Sequence, residues 1–279
     1  MPRSTHGRQP ESVNSITLNS PAPSSPLRLE GRNAVLEALN HGLPVDKLLI
    51  RKDDGAPSGA ASGTLRVIAA KARERGVVVA EVSKAKLDEL SGGGNHQGVI
   101  ALCPAKEYVE PEDILAAARE RGEDPFVAVL DGITDPHNLG AIIRSAEAAG
   151  AHGIILPKRR AAGLTDVVVR TSAGAIEHMP VSKVTNLVAA LEWLKKNGLW
   201  IACADVNGRP MYEADLSGPL AIVIGSEGEG AGRLVRERSD FSVRIPMLGK
   251  IASLNASVAA GVLFYEAVRQ RNLKRHDLT

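Results

Sequence analysis

From Leu29 onward the apolar positions of the chain follow two alternating periods. "GRNAVLEALNHG" and "TLRVIAAKARERG" carry apolar residues at helical spacing, whereas "KLLIRKD", "VVVAEVS" and "QGVIALCP" are short strand-like runs; together they predict a small α/β unit over residues 28–104. The next segment, "AKEYVEPEDILAAARERGEDP", is charged enough to be a linker over 105–124 carrying one short exposed helix. From Phe126 the alternation becomes regular. The runs "FVAVLD", "GIILP", "WIACADV", "LAIVIGS" and "FSVRIPM" are almost continuously apolar and are separated by helical stretches, the pattern of a mostly parallel sheet covered on both faces. Residues 125–273 are therefore expected to form a second α/β domain. Residues 1–27, rich in Ser, Pro and Asn, have too little apolar surface to offset their ordering entropy and are predicted to be a disordered tail.

Composition narrows this picture. The 279 residues suffice for two domains, and 34 Lys and Arg against 32 Asp and Glu leave a net charge of only +2, so any affinity for nucleic acid must come from local patches. Cys103 and Cys203 are far apart and form no C-x-x-C pair. Neither a disulfide framework nor a metal site is expected, and a reducing cytoplasm fits best. No run has signal-peptide character or the length to cross a membrane.

In open parallel sheets ligands gather beyond the carboxyl ends of the strands, and those ends carry the candidate chemistry. After the first strand comes "DGITDPHNLGAIIRSAEAAG". Leu139, Ile142, Ile143 and Ala146 share one helical face and leave Arg144 off it. Asn138 sits where a helix N-cap belongs; taken singly, Asn138 is better read as a cap and Arg144 as a solvated surface charge. "PKRRAAG" puts Lys158, Arg159 and Arg160 at the same rim, either as a solvated loop or as phosphate contacts. "IVIGSEGEGAG" has glycines that let the backbone bend closely around a ligand, but it lacks the Gly-Lys-Ser/Thr of a P-loop. Glu227 at its tip disfavours phosphate; its alternative role is to accept backbone N–H bonds and hold the loop. Finally, "IPMLGKIASLNASVAAGVLFYEAV" offers an apolar wall and backbone groups at Ile245, Met247 and Gly249 suited to a flat heterocycle such as adenine. Ser253 and Asn255 open a helix there, where capping alone would also explain them. That helix is apolar all round, which implies burial or a subunit interface.

The three blocks "DPHNLGAIIRSAEAAG", "VIGSEGEGAG" and "IPMLGKIASLNASVAAGVLFYEAV", in this order, resemble the three signature motifs of the SpoU (TrmH) branch of the SPOUT RNA methyltransferases. "GRNAVLEAL" and "HQGVIAL" look like the small L30e-like substrate-binding domain of its ribosomal-RNA members. Only the tail and linker fall outside the resemblance. The arrangement is most similar to the 23S ribosomal RNA guanosine 2'-O-methyltransferases.

This resemblance implies S-adenosylmethionine as methyl donor, a trefoil-knotted carboxyl-terminal domain and a homodimer with its active site at the subunit interface. Carried over by motif, Asn138, Arg144, Glu227, Ser253 and Asn255 match the family's functional polar positions, while Gly225, Ile245 and Leu254 match positions lining the cofactor pocket. Because a guanidinium stays protonated, Arg144 is expected to stabilise a developing alkoxide rather than to act as a base. The proton acceptor is unassigned; His137 is read as a loop residue. In the amino-terminal domain Arg32, Lys47, Arg51 and Lys52 are candidates for RNA phosphates. The competing readings are a transfer-RNA or antibiotic-resistance ribosomal-RNA methyltransferase, and a non-catalytic RNA-binding assembly factor that keeps the fold.

Overall fold

The computed structural model describes residues 28–52 and 59–276, so the predicted tail over 1–27 lies outside the described residues. The amino-terminal unit is a four-stranded sheet in the order β1-β4-β2-β3. Its strands are β1 (Arg28–Glu30), β2 (Lys47–Arg51), β3 (Val78–Val82) and β4 (Val99–Leu102). Alternation along β2 sends Leu48 and Ile50 to a face covered by α1 (Arg32–His41) and α2 (Gly59–Glu74), while Leu49 meets α3 (Lys84–Ser91) on the other. α1 buries Val35, Ala38 and Leu39 and stops at Gly42, where a φ of 75° suits a residue without Cβ.

Two of these elements escaped the apolar pattern. β1 spans only 3 residues. α3 buries Leu87 alone and owes its start to Ser83, whose side chain accepts the Lys86 N–H, so it has a cap but scarcely an apolar face.

The second unit is a six-stranded sheet, order β10-β8-β9-β5-β6-β7, in which every neighbouring pair is parallel. It comprises β5 (Phe126–Asp131), β6 (Gly153–Pro157), β7 (Val181–Val184), β8 (Trp200–Pro210), β9 (Leu220–Gly225) and β10 (Phe241–Arg244). One face packs on α5 (Pro136–Ala148), α6 (Asp166–Thr171), α7 (Ala175–His178) and α10 (Ala256–His276); the other packs on α4 (Pro111–Glu120), α8 (Leu187–Lys196) and α9 (Arg233–Arg238). Burial on both faces explains the unbroken apolar strands: Phe126 to Leu130 are all at most 1% exposed. Among the described residues no helix is long and apolar enough to cross a membrane.

Three expectations change here. β7, "VSKV", is absent from the predicted set because its 4 residues place two adjacent polar side chains between two valines and so carry neither an apolar run nor an alternation. β10 ends at Arg244, so "IPM" belongs to a loop rather than to the strand. The helix expected to be exposed in the linker is α4, and its Ile114, Leu115 and Ala118 are buried against β5, β6 and α8. Its charges lie on the outer face only, and Glu110 with Asp113 forms a capping box at its start.

Candidate active site

Parallel pairing brings the ends of β5, β8, β9 and β10 to one rim. At the end of β5, Asp131 Oδ2 accepts the Gly232 N–H at 2.8 Å and ties this strand to the start of α9. The turn into α5 is capped by Asp135, whose side chain accepts the His137 N–H at 3.0 Å. Asp135 therefore has the capping role expected of Asn138, and Asn138 falls at the third helical residue with its amide free for long-range bonds. His137 is exposed in the first turn of α5.

After β9 the loop closes on itself, with Ser226 N–H to Gly230 O at 3.1 Å and Gly230 N–H to Ser226 O at 3.0 Å. Gly228 and Gly230 take φ of 86° and 69°. A Cβ on Gly225 would overlap the backbone of Gly230 and Ala231, so only glycine permits this folded loop. Its tip presents Glu227.

Three distant segments meet at Glu227. Its Oε1 accepts Asn138 Nδ2 at 2.9 Å, Asn255 Nδ2 at 2.5 Å and the Ala256 N–H at 3.3 Å. Asn255 Nδ2 also donates to Asn138 Oδ1 at 2.9 Å, while Asn255 Oδ1 accepts the N–H groups of Ser257 at 3.0 Å and Val258 at 3.3 Å. Asn255 thus caps α10 and, with its other end, joins the cluster. Ser253 stands three residues before the first helical residue, exposed, and does no capping.

Beside this cluster lies a cavity of about 570 Å³, within the usual range for small-molecule sites. Gly225, Glu227, Ile245, Met247, Ser253 and Leu254 line it. Ala256, Ala259 and Leu263 of α10 complete its apolar wall. Gly249 does not line it and is exposed with open space around its Cα. The polar wall was missed in the sequence: Asp205, two residues past the last β8 residue paired with β9, meets Arg236 of α9 at 3.3 Å, and its side chain is 12% exposed. Its signal was a carboxylate at the end of an apolar strand, in "WIACADV", which the strand-end rule singles out. Cys203, two residues earlier, is buried, and that burial, reinforced by the Asp205 carboxylate, pushes its thiol up to about 11. It is no nucleophile.

Arg144 is not brought to this cluster. It lies six residues beyond Asn138 on α5, about 9 Å along the axis and on a different face. It is exposed, does not line the cavity and makes no hydrogen bond or ion pair with any described residue. The basic candidates also separate. Arg32 donates through its N–H and Nε to Gln97 at 3.1 Å, and Arg51 and Lys52 lie exposed beside that same loop, with the Arg51 N–H bonded to Gly98 O. Lys47 is at the opposite end of β2. Arg159 and Arg160 are exposed after β6, whereas Lys158 lines a groove between the domains. Among the described residues no group of His, Cys, Asp and Glu is placed to hold a metal ion.

A family model described as the SpoU rRNA Methylase family matches residues 125–265. The chain belongs to the SpoU (TrmH) family. A second model, described as RNA 2'-O ribose methyltransferase substrate binding, matches residues 28–109 of this SpoU chain. A Bacillus subtilis (strain 168) protein named as a TrmH family tRNA/rRNA methyltransferase, YacO, is 47% identical over 243 residues, which is 87% of this chain and 95% of that one. The SpoU methyltransferase AviRb from Streptomyces viridochromogenes, solved with AdoMet, superposes with a TM-score of 0.55 at 27% identity, covering 88% of this chain and 90% of AviRb. An AdoMet-bound rRNA methyltransferase from Sinorhizobium meliloti gives a TM-score of 0.54 at 27% identity, covering 87% and 86%. This SpoU protein is accordingly an S-adenosylmethionine-dependent RNA methyltransferase, and the α/β architecture expected from its strands is that of the solved SpoU enzymes.

Proposed function

We propose that this enzyme transfers a methyl group from S-adenosylmethionine to the ribose 2'-hydroxyl of a guanosine in 23S ribosomal RNA, acting as a cytoplasmic homodimer with the trefoil knot of its family. The observation that carries the reading is the joining, in one chain, of a SpoU methylase domain to a substrate-binding domain. The Sinorhizobium meliloti rRNA methyltransferase matches across both domains.

The cavity fits the cofactor chemically: its apolar wall of Ile245, Leu254 and Ala259 suits an adenine ring, and the glycine loop after β9 brings backbone groups to its edge. Gly225, Ile245, Met247 and Leu254 hold the cofactor in this reading. Gly249 drops out of that set because it does not line the cavity. Bound S-adenosylmethionine supplies an electrophilic methyl group on its sulfonium. Asn138, Glu227 and Asn255 lock the three rim segments together, and Ser253 stands exposed at the cavity mouth. Much of the rate comes from such positioning.

Arg144 then acts across the dimer. Its neighbour Ser145 lies against Gly261, the Oγ being 3.6 Å from where a Cβ would stand, so Arg144 emerges beside α10. On α10 and the loop before it, apolar side chains are bare: Leu248 is 101% exposed, Ile251 73%, Val258 50% and Tyr265 53%. A second copy covering this surface carries Arg144 to the partner's rim, where the guanidinium stabilises the developing alkoxide. Arg32, Arg51 and Lys52 form the distal RNA contact, and Lys158, Arg159 and Arg160 the one nearer the cavity.

The test is incubation with S-adenosylmethionine and unmodified ribosomal RNA or transfer RNA, followed by mass spectrometry of the 2'-O-methylated nucleosides. Methylated guanosine from ribosomal RNA alone is expected. Product from transfer RNA alone moves the substrate assignment, and no product from either despite cofactor binding favours the non-catalytic assembly factor.

A further inference from the structure

The two domains are joined by a buried polar cluster that the methyl-transfer reading does not use. Asp46, the residue before β2, accepts Lys183 Nζ on Oδ1 at 2.6 Å and the Tyr108 hydroxyl on Oδ2 at 3.0 Å. Lys183 Nζ also reaches the Tyr108 hydroxyl oxygen at 3.3 Å and sits 4.8 Å from its ring centroid. That oxygen accepts the Leu164 N–H at 3.3 Å. The side chains of Asp46 and Lys183 are each only 11% exposed, and a Cβ on Gly163 would collide with the Asp46 carboxylate.

Everything in the cluster except Asp46 is fastened to the methyltransferase domain. Lys183 is on β7. The segment bearing Tyr108 is held by Ala105 N–H to Leu164 O at 2.8 Å, by Val109 N–H to Val181 O at 2.9 Å, and by Lys106 Nζ on the carbonyls of Ile176 at 2.6 Å and Glu177 at 2.9 Å. Asp46 is thus a point at which the amino-terminal domain is gripped. A desolvated ion pair contributes little net stability against an apolar contact of the same shape, yet it is strongly directional. It is suited to fixing an angle.

That angle matters because of where the grip lies. In the sheet order β7 is three strands from β9, or about 14 Å across the rim from the cavity. The loop of Lys158, Arg159 and Arg160 leaves β6 in between, and Lys158 with Arg75 walls a groove of about 430 Å³ along the seam. Arg51 and Lys52 lie at the end of β2 opposite Asp46, so an RNA held there and at Arg32 reaches the rim only if the amino-terminal domain keeps a fixed angle to it.

We infer that Asp46, Tyr108 and Lys183 are positioning residues: they hold the amino-terminal domain at one orientation so that a single RNA engages both that domain and the cofactor-pocket rim. The kinetic half of the inference rests on the proposed ribosomal-RNA activity; the conformational half does not.

The test uses the full chain carrying Asp46→Asn, Tyr108→Phe, or Asp46→Asn together with Lys183→Gln. Small-angle scattering reads domain orientation without any substrate, and is expected to show a broadened distance distribution for Asp46→Asn and a smaller change for Tyr108→Phe. On a structured ribosomal-RNA fragment, KM is expected to rise about tenfold for Asp46→Asn while kcat and calorimetric S-adenosylmethionine affinity stay within about twofold. The double variant, with no unpaired charge, is expected to recover folding stability but not KM. Unchanged scattering, or altered scattering with unchanged KM, overturns the inference. A lowered melting temperature without the split between KM and kcat reduces the cluster to a structural contact and also overturns it. If Asp46→Asn does not fold, Tyr108→Phe, which keeps the ion pair, decides by the same readings. If the wild type methylates no RNA, the activity proposal has failed and scattering alone decides the grip.

Discussion

Two polar clusters each join segments far apart in the chain, and they are built from opposite materials. At the cavity rim, Glu227 is bound by the amides of Asn138 and Asn255, and all three side chains reach solvent. At the domain seam, Asp46 and Lys183 are charges withdrawn from water beside Tyr108, whose phenol is pushed up by burial and by the neighbouring carboxylate. Exposed amide bonds rearrange at little cost when a ligand arrives; a buried ion pair does not. On the proposed function the rim is the part that meets the substrate, while the seam keeps its shape.

Substitutions that act on one side of this contrast should leave the other untouched. The largest effect is expected from Arg144→Ala. With no partner among the described residues, this side chain has no folding role to lose, so kcat should fall at least about 100-fold with the melting temperature and cofactor affinity nearly unchanged. Single-turnover assays beside calorimetry measure both. Next comes Gly225→Val, whose branched side chain must push Gly230 and Ala231 aside; S-adenosylmethionine affinity should weaken about tenfold or more, read by titration.

Glu227→Gln should be milder. A neutral carbonyl oxygen can still accept from Asn138, Asn255 and Ala256, so a loss of roughly three- to tenfold in kcat/KM is expected, with Glu227→Ala worse because three donors lose their partner. Steady-state kinetics on the two variants separates them.

The smallest effect belongs to neither cluster and serves as a control. His152 is 1% exposed; its Nδ1 accepts the Phe126 N–H at 3.0 Å and its Nε2–H meets Glu123 at 3.1 Å. Burial lowers its pKa below the usual 6.5, outweighing the opposing pull of Glu123. Its neutral form is the folded one, so its contribution is complete above 6.5 and is lost as pH falls below it, because the unfolded chain then binds the proton more readily. Urea midpoints should drop between about pH 7 and 5.5, and this slope should flatten in His152→Gln.

The contrast also marks what could be read in the sequence. Buried strands such as "FVAVLD" and "LAIVIG" announce themselves because both faces are covered, and α5 was visible in the spacing of Leu139, Ile142, Ile143 and Ala146. Asn138, Glu227 and Asn255 stand in motif blocks, but their mutual bonds were not legible, and neither was the exchange of capping roles between Asn138 and Asp135. α3 and β7 were missed for want of an apolar face. The seam was hidden altogether: Asp46 meets residues 62 and 137 positions away, and nothing local to a Lys in "VSKV" tells that it is buried. Short-range pattern reports periodicity; it does not report which surfaces face one another.

The proposed cofactor site, the cavity at the ends of β8, β9 and β10, is expected to hold S-adenosylmethionine independently of how the amino-terminal domain is seated. One calorimetric series tests it: S-adenosylmethionine titrated into the wild type, Leu254→Trp, which fills the cavity, and Asp46→Asn, which loosens the seam. Binding lost in Leu254→Trp and kept in Asp46→Asn is the predicted result. Wild-type affinity in a folded Leu254→Trp would contradict the claim, for the cofactor would then lie elsewhere.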